Sequence, residues 1–246
     1  MDTDETRDTA QDPARTATGE RSVLENFRDV IFAPSATFEE VGRRPHVLVP
    51  LIILMAAALV ASYLLMPLWT ELQQLRVMEN PDLSSEQREA AISGMESFKW
   101  IGLVISPIGF AVVLALTALL FWGWAAISGA KNAEYKVAFG ALTYASVVGV
   151  IQMYLQAAVI QIKGLEQVAR EGGPPLFGLS LFLDRDDFPS LVWGQLANLN
   201  FFSIWYAVLI AIAGIHALRM SRGSATTIAV ILFVIGGLFL SFQGAS

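Results

Sequence analysis

Five long apolar runs constrain the fold of this chain more than any other feature. They cover about 47–68, 100–127, 137–162, 198–218 and 225–242. A helix of about twenty apolar residues crosses the hydrocarbon core of a bilayer, and a backbone inside lipid must satisfy its own hydrogen bonds. The sequence therefore predicts an all-α, polytopic membrane protein with five transmembrane helices.

Composition limits the chemistry that this chain can perform. Charged residues make up 15% of it, against about 25% in soluble domains. It has no cysteine, which excludes thiol catalysis and disulfides, and its two histidines, His46 and His216, are too few for a histidine metal centre. No phosphate-binding glycine loop, catalytic constellation or basic nucleic-acid footprint is visible. We therefore expect no enzyme, cofactor, metal or nucleic-acid partner.

The chain divides into three parts by composition. Residues 1–20 are polar and acidic, which predicts a disordered tail. Residues 21–45 predict a cytosolic amphipathic or interfacial helical segment, since Ser22 and Glu25 form a capping-box pattern and Pro34 ends the first apolar face. Residues 46–246 predict the five-helix transmembrane domain.

Basic residues predict the orientation of the spans. Short flanks and connections carry pairs of them: Arg43 and Arg44, Lys131 and Lys136, Arg219 and Arg222. The long loops at 70–99 and 163–197 are richer in acids than in bases. Because lysine and arginine concentrate on the cytoplasmic side of a membrane, we expect a cytoplasmic N-terminus and a C-terminus outside.

One face of the third span combines small and amide side chains. Ala141, Ala145, Gly149, Gln152 and Gln156 fall together at helical spacing. Small residues at every fourth position allow close helix approach, and amides are costly against hydrocarbon. This face is therefore predicted to look inward. It is either a packing seam, where Gly149→Leu would push helices apart, or a polar path.

Two further features predict local irregularity. Pro107 lies inside the second span and should kink or break it, with Ser106 or a neighbouring helix satisfying the freed carbonyl. The apolar run at 176–183, which follows a Gly-Gly-Pro-Pro sequence, is too short to cross a bilayer. It is predicted to be an interfacial or re-entrant piece.

Three segments of the chain contain prolines, aromatics and small residues in an order that is typical of one protein family. They are Phe32-Ala33-Pro34 with Phe38, Pro45 and Pro50-Leu51; Tyr135-Lys136 with Ala141-Leu142-Thr143-Tyr144-Ala145-Ser146; and Asn200-Phe201-Phe202-Ser203-Ile204-Trp205 with Leu209 and Gly214. Over about 25–243 the chain resembles the prokaryotic Yip1-domain integral membrane proteins. The resemblance implies five spans, a cytosolic N-terminus and the prokaryotic plasma membrane.

The resemblance implies a fold and a topology rather than a mechanism. Eukaryotic relatives suggest membrane trafficking and small-GTPase binding. Their acidic, Tyr-Gly-Pro-type N-terminal motif is absent here, so GTPase binding is not expected. Two functions remain open. One is a non-enzymatic scaffold that organises the bilayer or binds other membrane proteins or a second copy, with the N-terminal helix as its cytosolic contact. The other is a small channel or carrier lined by Gln152 and Gln156.

Overall fold

A computed structural model describes residues 22–170, 177–183 and 187–243, and the side chains up to residue 241. The predicted tail at 1–20 lies outside these ranges. The helices are α1 Val23–Phe32, α2 Pro34–Arg43, α3 Leu48–Glu79, α4 Ser85–Ile127, α5 Tyr135–Ala145, α6 Val147–Lys163, α7 Leu165–Arg170, α8 Ser190–Asn198, α9 Phe201–His216 and α10 Arg222–Gln243. The all-α class is confirmed for the described residues, where β pairing is limited to one isolated bridge.

Four helical stretches in the described part of the chain are long and apolar enough to cross a membrane. They are α3, α4, the joined α5 and α6, and α10. The fourth predicted span corresponds to α9, whose 16 residues extend about 24 Å, short of the ~30 Å hydrocarbon core. A multi-pass membrane protein is therefore supported. A fifth crossing of the membrane, by α9, and the orientation of the termini stay predictions.

The helix α4 passes through Pro107 without interruption. Its 43 residues extend about 64 Å. The proline has no N–H for the carbonyl four residues earlier, which belongs to Leu103. The Ser106 hydroxyl donates to that carbonyl at 3.0 Å, as the sequence analysis proposed. The predicted break is absent, and the kink stays a prediction.

The third predicted span is interrupted at Ser146, where α5 ends and α6 begins. The Ser146 hydroxyl donates to the Leu142 carbonyl at 2.8 Å. The N–H groups of Gly149 and Val150 both point to the Ser146 carbonyl, at 3.1 and 3.3 Å. Such back-bonding by serine and a tightened turn locally distort a helix.

A second interruption separates α8 from α9 at Leu199 and Asn200. The Asn200 carbonyl oxygen Oδ1 accepts the Ser203 N–H at 2.9 Å and caps α9, while Asn200 Nδ2 donates to the Ala197 carbonyl at 3.0 Å. Outside this break, Leu179 N–H donates to the Leu199 carbonyl at 3.3 Å. Residues 177–179 of the short apolar run therefore pair with 199–201, at the start of α9, while its interfacial or re-entrant position stays a prediction. The helix α8 was not anticipated within the loop at 163–197.

Side-chain amides hold α8 along the C-terminal half of α10. Asn198 Nδ2 donates to the Phe233 carbonyl at 2.7 Å, and Gln195 Nε2 donates to the Val234 carbonyl at 3.2 Å. Both acceptors lie near the middle of α10. The helix α9 also packs against α10, and a Cβ on Gly214 of α9 would lie 2.8 Å from Ala225 Cβ, near the start of α10.

The two short helices α1 and α2 form a cap on one end of the bundle. The ring of Phe27 lies 4.9 Å from that of Tyr144, and Val30 is fully buried. At the end of α2, Asn132 Nδ2 donates to the carbonyls of Gly42 and Ala217, at 2.9 and 2.8 Å. The cap therefore joins the main core instead of lying free of the bundle.

Candidate functional site

A cavity of about 290 Å³ opens between α4, α6, α8, α9 and α10, beside both helix interruptions. Five uncharged polar side chains line it: Ser146, Gln152, Asn198, Ser203 and Tyr206. The remaining lining is apolar or glycine and comes from Phe110, Gly149, Phe202, Ala207, Ile210, Leu232, Phe233 and Gly236. The cavity thus combines a mainly apolar wall with a few hydrogen-bonding groups, which is typical of small-molecule sites.

The cavity lies at the middle depth of the spans that surround it. Gly149 is the central residue of the Tyr135–Lys163 span, and Leu232 and Phe233 are central in α10. Hydrocarbon surrounds a bundle at this depth. Polar groups here are expensive unless they are paired, so their presence marks candidate functional positions.

Three of the polar side chains in the cavity already have partners. Asn198 uses its Nδ2 on α10, which leaves its Oδ1 as an acceptor. The Ser203 hydroxyl accepts from Asn200 Nδ2 at 2.9 Å, and the Ser146 hydroxyl donates to the Leu142 carbonyl at 2.8 Å. The half-buried Gln152 amide makes no hydrogen bond within the described part of the chain. Gln152 therefore has a donor and an acceptor to offer.

The predicted face of the third span divides along its length. Ala141 and Ala145 are fully buried in the main core, and Gln156 is buried as well. Gly149 and Gln152 instead line the cavity. A Cβ on Gly149 would meet no heavy atom within 4 Å, so this glycine does not bring two helices together and the small-residue ladder ends at Ala145. The packing and path interpretations of the face stay predictions.

Close helix approach occurs at glycines that the sequence analysis did not single out. A Cβ on Gly194 would lie 2.5 Å from the Gly237 carbonyl oxygen and 2.6 Å from the Ser241 nitrogen. A Cβ on Gly42 would lie 2.8 Å from the Ala217 carbonyl oxygen. The available signal was the Gly-Gly pair at 236–237 in the last span, but its partner α8 lies in a segment that looks like a loop.

An acid and a histidine meet where the cap contacts α9. His216 Nδ1 lies 3.1 Å from Glu39 Oε1. The hydrogen bond with His216 lowers the pKa of Glu39; partial burial opposes this, and the charges of His216, Arg219 and Arg43 reinforce it. The described residues contain no group of three histidine, cysteine or acidic side chains that could hold a metal. The pair joins α2 of the cap to the end of α9.

A second, larger groove of about 560 Å³ lies between α3 and α4. Its apolar lining includes Met66, Trp69, Met95, Phe98 and Met153. Both helices run on beyond this groove, α3 to Glu79 and α4 back to Ser85, and so form a long hairpin.

Comparison with known proteins agrees with the three segments noted in the sequence. The profile of the Yip1 domain family matches residues 28–243. Membrane protein YknW of Bacillus subtilis (strain 168) is 27% identical over 217 residues, which cover 87% of this chain and 88% of that protein. No solved structure matches the chain.

Proposed function

Since this chain belongs to the Yip1 domain family of membrane proteins, we propose that it is a non-enzymatic scaffold of the prokaryotic plasma membrane that binds other membrane proteins. The observation that carries this proposal is the α3–α4 hairpin, which continues well beyond the apolar part of both helices. Residues 70–99 add little to the transmembrane core, so their ordered helices suit contact with a partner.

The hairpin projects from the membrane by a distance that follows from its length. Trp69 and Trp100 stand where the apolar parts of α3 and α4 end, as interfacial tryptophans do. The 15 residues at 85–99 precede Trp100 and add about 22 Å of helix. A partner protein can reach this part of the chain without entering the bilayer.

The short helix α7 braces the hairpin. Val168 of α7 and Leu68 of α3 are fully buried in a separate small core, and Leu72 and Leu75 pack against it. A surface that is already ordered loses less conformational entropy on binding than a mobile one. The bracing therefore favours recognition by the hairpin.

The groove at the base of the hairpin supplies the chemistry of recognition. Trp69 and Phe98 are exposed, and Met95 lies beside them. Tryptophan and methionine are enriched at protein interfaces and adapt to apolar partners. Residues 70–99 contain six acids and three bases. The partner that fits is a transmembrane helix with lysine or arginine at its membrane boundary.

The alternative, a channel or carrier, has less support. A path along the third span would have to continue past Ala141 and Ala145, and both are fully buried in the core. The lining of the mid-membrane cavity contains no charged residue among those described. Ion coupling in membranes ordinarily uses such residues.

Photocrosslinking in native membranes tests the scaffold proposal. A benzophenone amino acid in place of Phe98 should give a discrete crosslinked band. Gly94→Trp places a bulky side chain in the groove, at a position where nothing lies within 4 Å of a Cβ, and should weaken the band at least fivefold. Gly109→Trp is the control, because Gly109 lies on the same helix and also has no heavy atom within 4 Å of a Cβ, but it is outside the groove. This variant should leave the crosslinked band unchanged.

Each outcome of the crosslinking experiment has a definite meaning. A band at twice the mass of the chain identifies a second copy as the partner. A band of another mass identifies a different membrane protein. The absence of any discrete band, or a band that Gly94→Trp and Gly109→Trp reduce equally, would refute binding through the hairpin groove.

A further inference from the structure

We propose that the mid-membrane cavity binds the headgroup of a neutral lipid alcohol, meaning an uncharged hydroxyl group on an apolar chain. This inference is independent of partner binding by the hairpin. It rests on three properties of the cavity: the charge of its lining, the hydrogen-bonding capacity of Gln152, and the depth at which it opens.

The lining selects for an uncharged ligand. None of the described residues around the cavity is acidic or basic. A charge at mid-membrane depth is costly unless an opposite charge or several polar groups compensate it. Phosphate, carboxylate and ammonium headgroups therefore find no counter-charge in this cavity.

The polar groups of the cavity match a hydroxyl group. Gln152 offers an amide donor and an amide acceptor, and neither has a hydrogen bond in the described structure. Asn198, which also lines the cavity, offers its free Oδ1, since its Nδ2 is used on α10. A hydroxyl group donates one hydrogen bond and accepts others, so it can satisfy both side chains.

The opening of the cavity fits a ligand that arrives from the bilayer. Gly149 is exposed, and Gln152 and Phe110 are only half-buried, so this side of the cavity is not sealed. At this depth the bundle is surrounded by acyl chains. The cavity volume of about 290 Å³ is at the lower end of the ~300–1,000 Å³ of small-molecule sites. It therefore holds a headgroup and a short part of the chain, while the remainder stays in the lipid.

Photolabelling with defined probes tests this site. The full chain in nanodiscs of dioleoylphosphatidylcholine is exposed to hexadecanol that carries a diazirine near its hydroxyl. We expect saturable labelling of peptides from 146–152 and 198–210, which unlabelled hexadecanol displaces. The corresponding hexadecyl phosphate and hexadecane probes should label these peptides at least fivefold less.

Variants connect the labelling with the cavity. Gln152→Leu removes both amide groups at similar volume, and Gly149→Leu fills the cavity. Each should reduce labelling at least fivefold. Gly109→Leu is the matched control, because this glycine is also helical and has open space around it, but it does not line the cavity. Its labelling should equal that of the unchanged protein.

Tyr206→Phe provides a second test should Gln152→Leu fail to fold, since it removes only a hydroxyl group from the lining. It should reduce labelling at least twofold. Non-saturable labelling would mean that the cavity holds water or bulk lipid and would overturn the proposal. Equal labelling by the phosphate probe would overturn its neutral character. Undiminished labelling in the folded cavity variants would place the probe elsewhere.

Discussion

Alanine at Gly194 should damage the bundle, whereas alanine at Gly149 should not. A Cβ on Gly194 would lie 2.5 Å from the carbonyl oxygen of Gly237 and 2.6 Å from the nitrogen of Ser241. Contacts this short force α8 away from α10. Both of these are backbone atoms inside a helix, so a side-chain rotation cannot relieve the clash with them.

The expected loss follows from the contacts that this displacement affects. Overpacking costs about 1–3 kcal/mol. Separation also weakens the hydrogen bonds from Asn198 and Gln195 to α10, each worth about 1 kcal/mol. Alanine regains about 1 kcal/mol of helix propensity over glycine. The net loss of unfolding free energy for Gly194→Ala is therefore about 2–4 kcal/mol. For Gly149→Ala only the gain in helix propensity applies, so its unfolding free energy should not fall.

Thermal unfolding of the purified variants in one detergent measures this difference. A gap of about 3–5 kcal/mol between the two variants corresponds to roughly 6–20 °C in Tm, at 2–4 °C per kcal/mol for a chain of this size. Gly149→Ala should unfold at or slightly above the temperature of the unchanged protein. If both alanines destabilise the protein equally, it is wrong that Gly194 is a close-packing position and that Gly149 is not.

Further predictions concern the cap and the topology. Asn132→Ala removes two hydrogen bonds to backbone carbonyls and should lower the unfolding free energy by about 2 kcal/mol. We expect the Tm to fall by about 4–8 °C. An unchanged Tm would show that the cap does not need these hydrogen bonds. The hydrogen bond with His216 lowers the pKa of Glu39 in the folded protein. The Glu39 carboxylate therefore stabilises the fold at pH values above the usual glutamate pKa, and this stabilisation is lost as the pH falls through the lowered pKa of the folded state. Glu39→Gln should therefore unfold earlier than the unchanged protein at pH 6, and the two should converge in strong acid, as Tm measurements across pH will show. A reporter active only in the cytoplasm should give no signal at the C-terminus; a strong signal would reverse the predicted orientation.

Local rules identified much of the helical framework from the sequence. Apolar runs located the membrane-crossing stretches, because the bilayer demands about twenty such residues whatever they contact. The capping box of Ser22 and Glu25 starts α1, since its hydrogen bonds lie within one turn. The bond from Ser106 to the carbonyl freed by Pro107 is local in the same way. The cap and the Ser106 bond each depend on residues at most four apart.

The candidate site depended on contacts that no local pattern contains. The sequence placed Gly149 and Gln152 on one helical face, as the structure does, but it treated Gly149 as equivalent to Ala141 and Ala145. A small side chain permits close approach without specifying which backbone approaches. The partner of the packing glycine Gly194 is α10, more than forty residues away.

The sequence by itself determined the helical class, the apolar stretches and the capped start of α1, because these follow from solvation and from hydrogen bonds within one turn. The tertiary structure decided that α8 packs into the bundle, that the third span is interrupted at Ser146, and that Gln152 and Asn198 line the same cavity. The physical reason is that packing energy is the sum of many weak contacts between residues far apart in the sequence. The same small or amide side chain can therefore lie in a tight helix interface or line an open cavity, depending on which residues surround it.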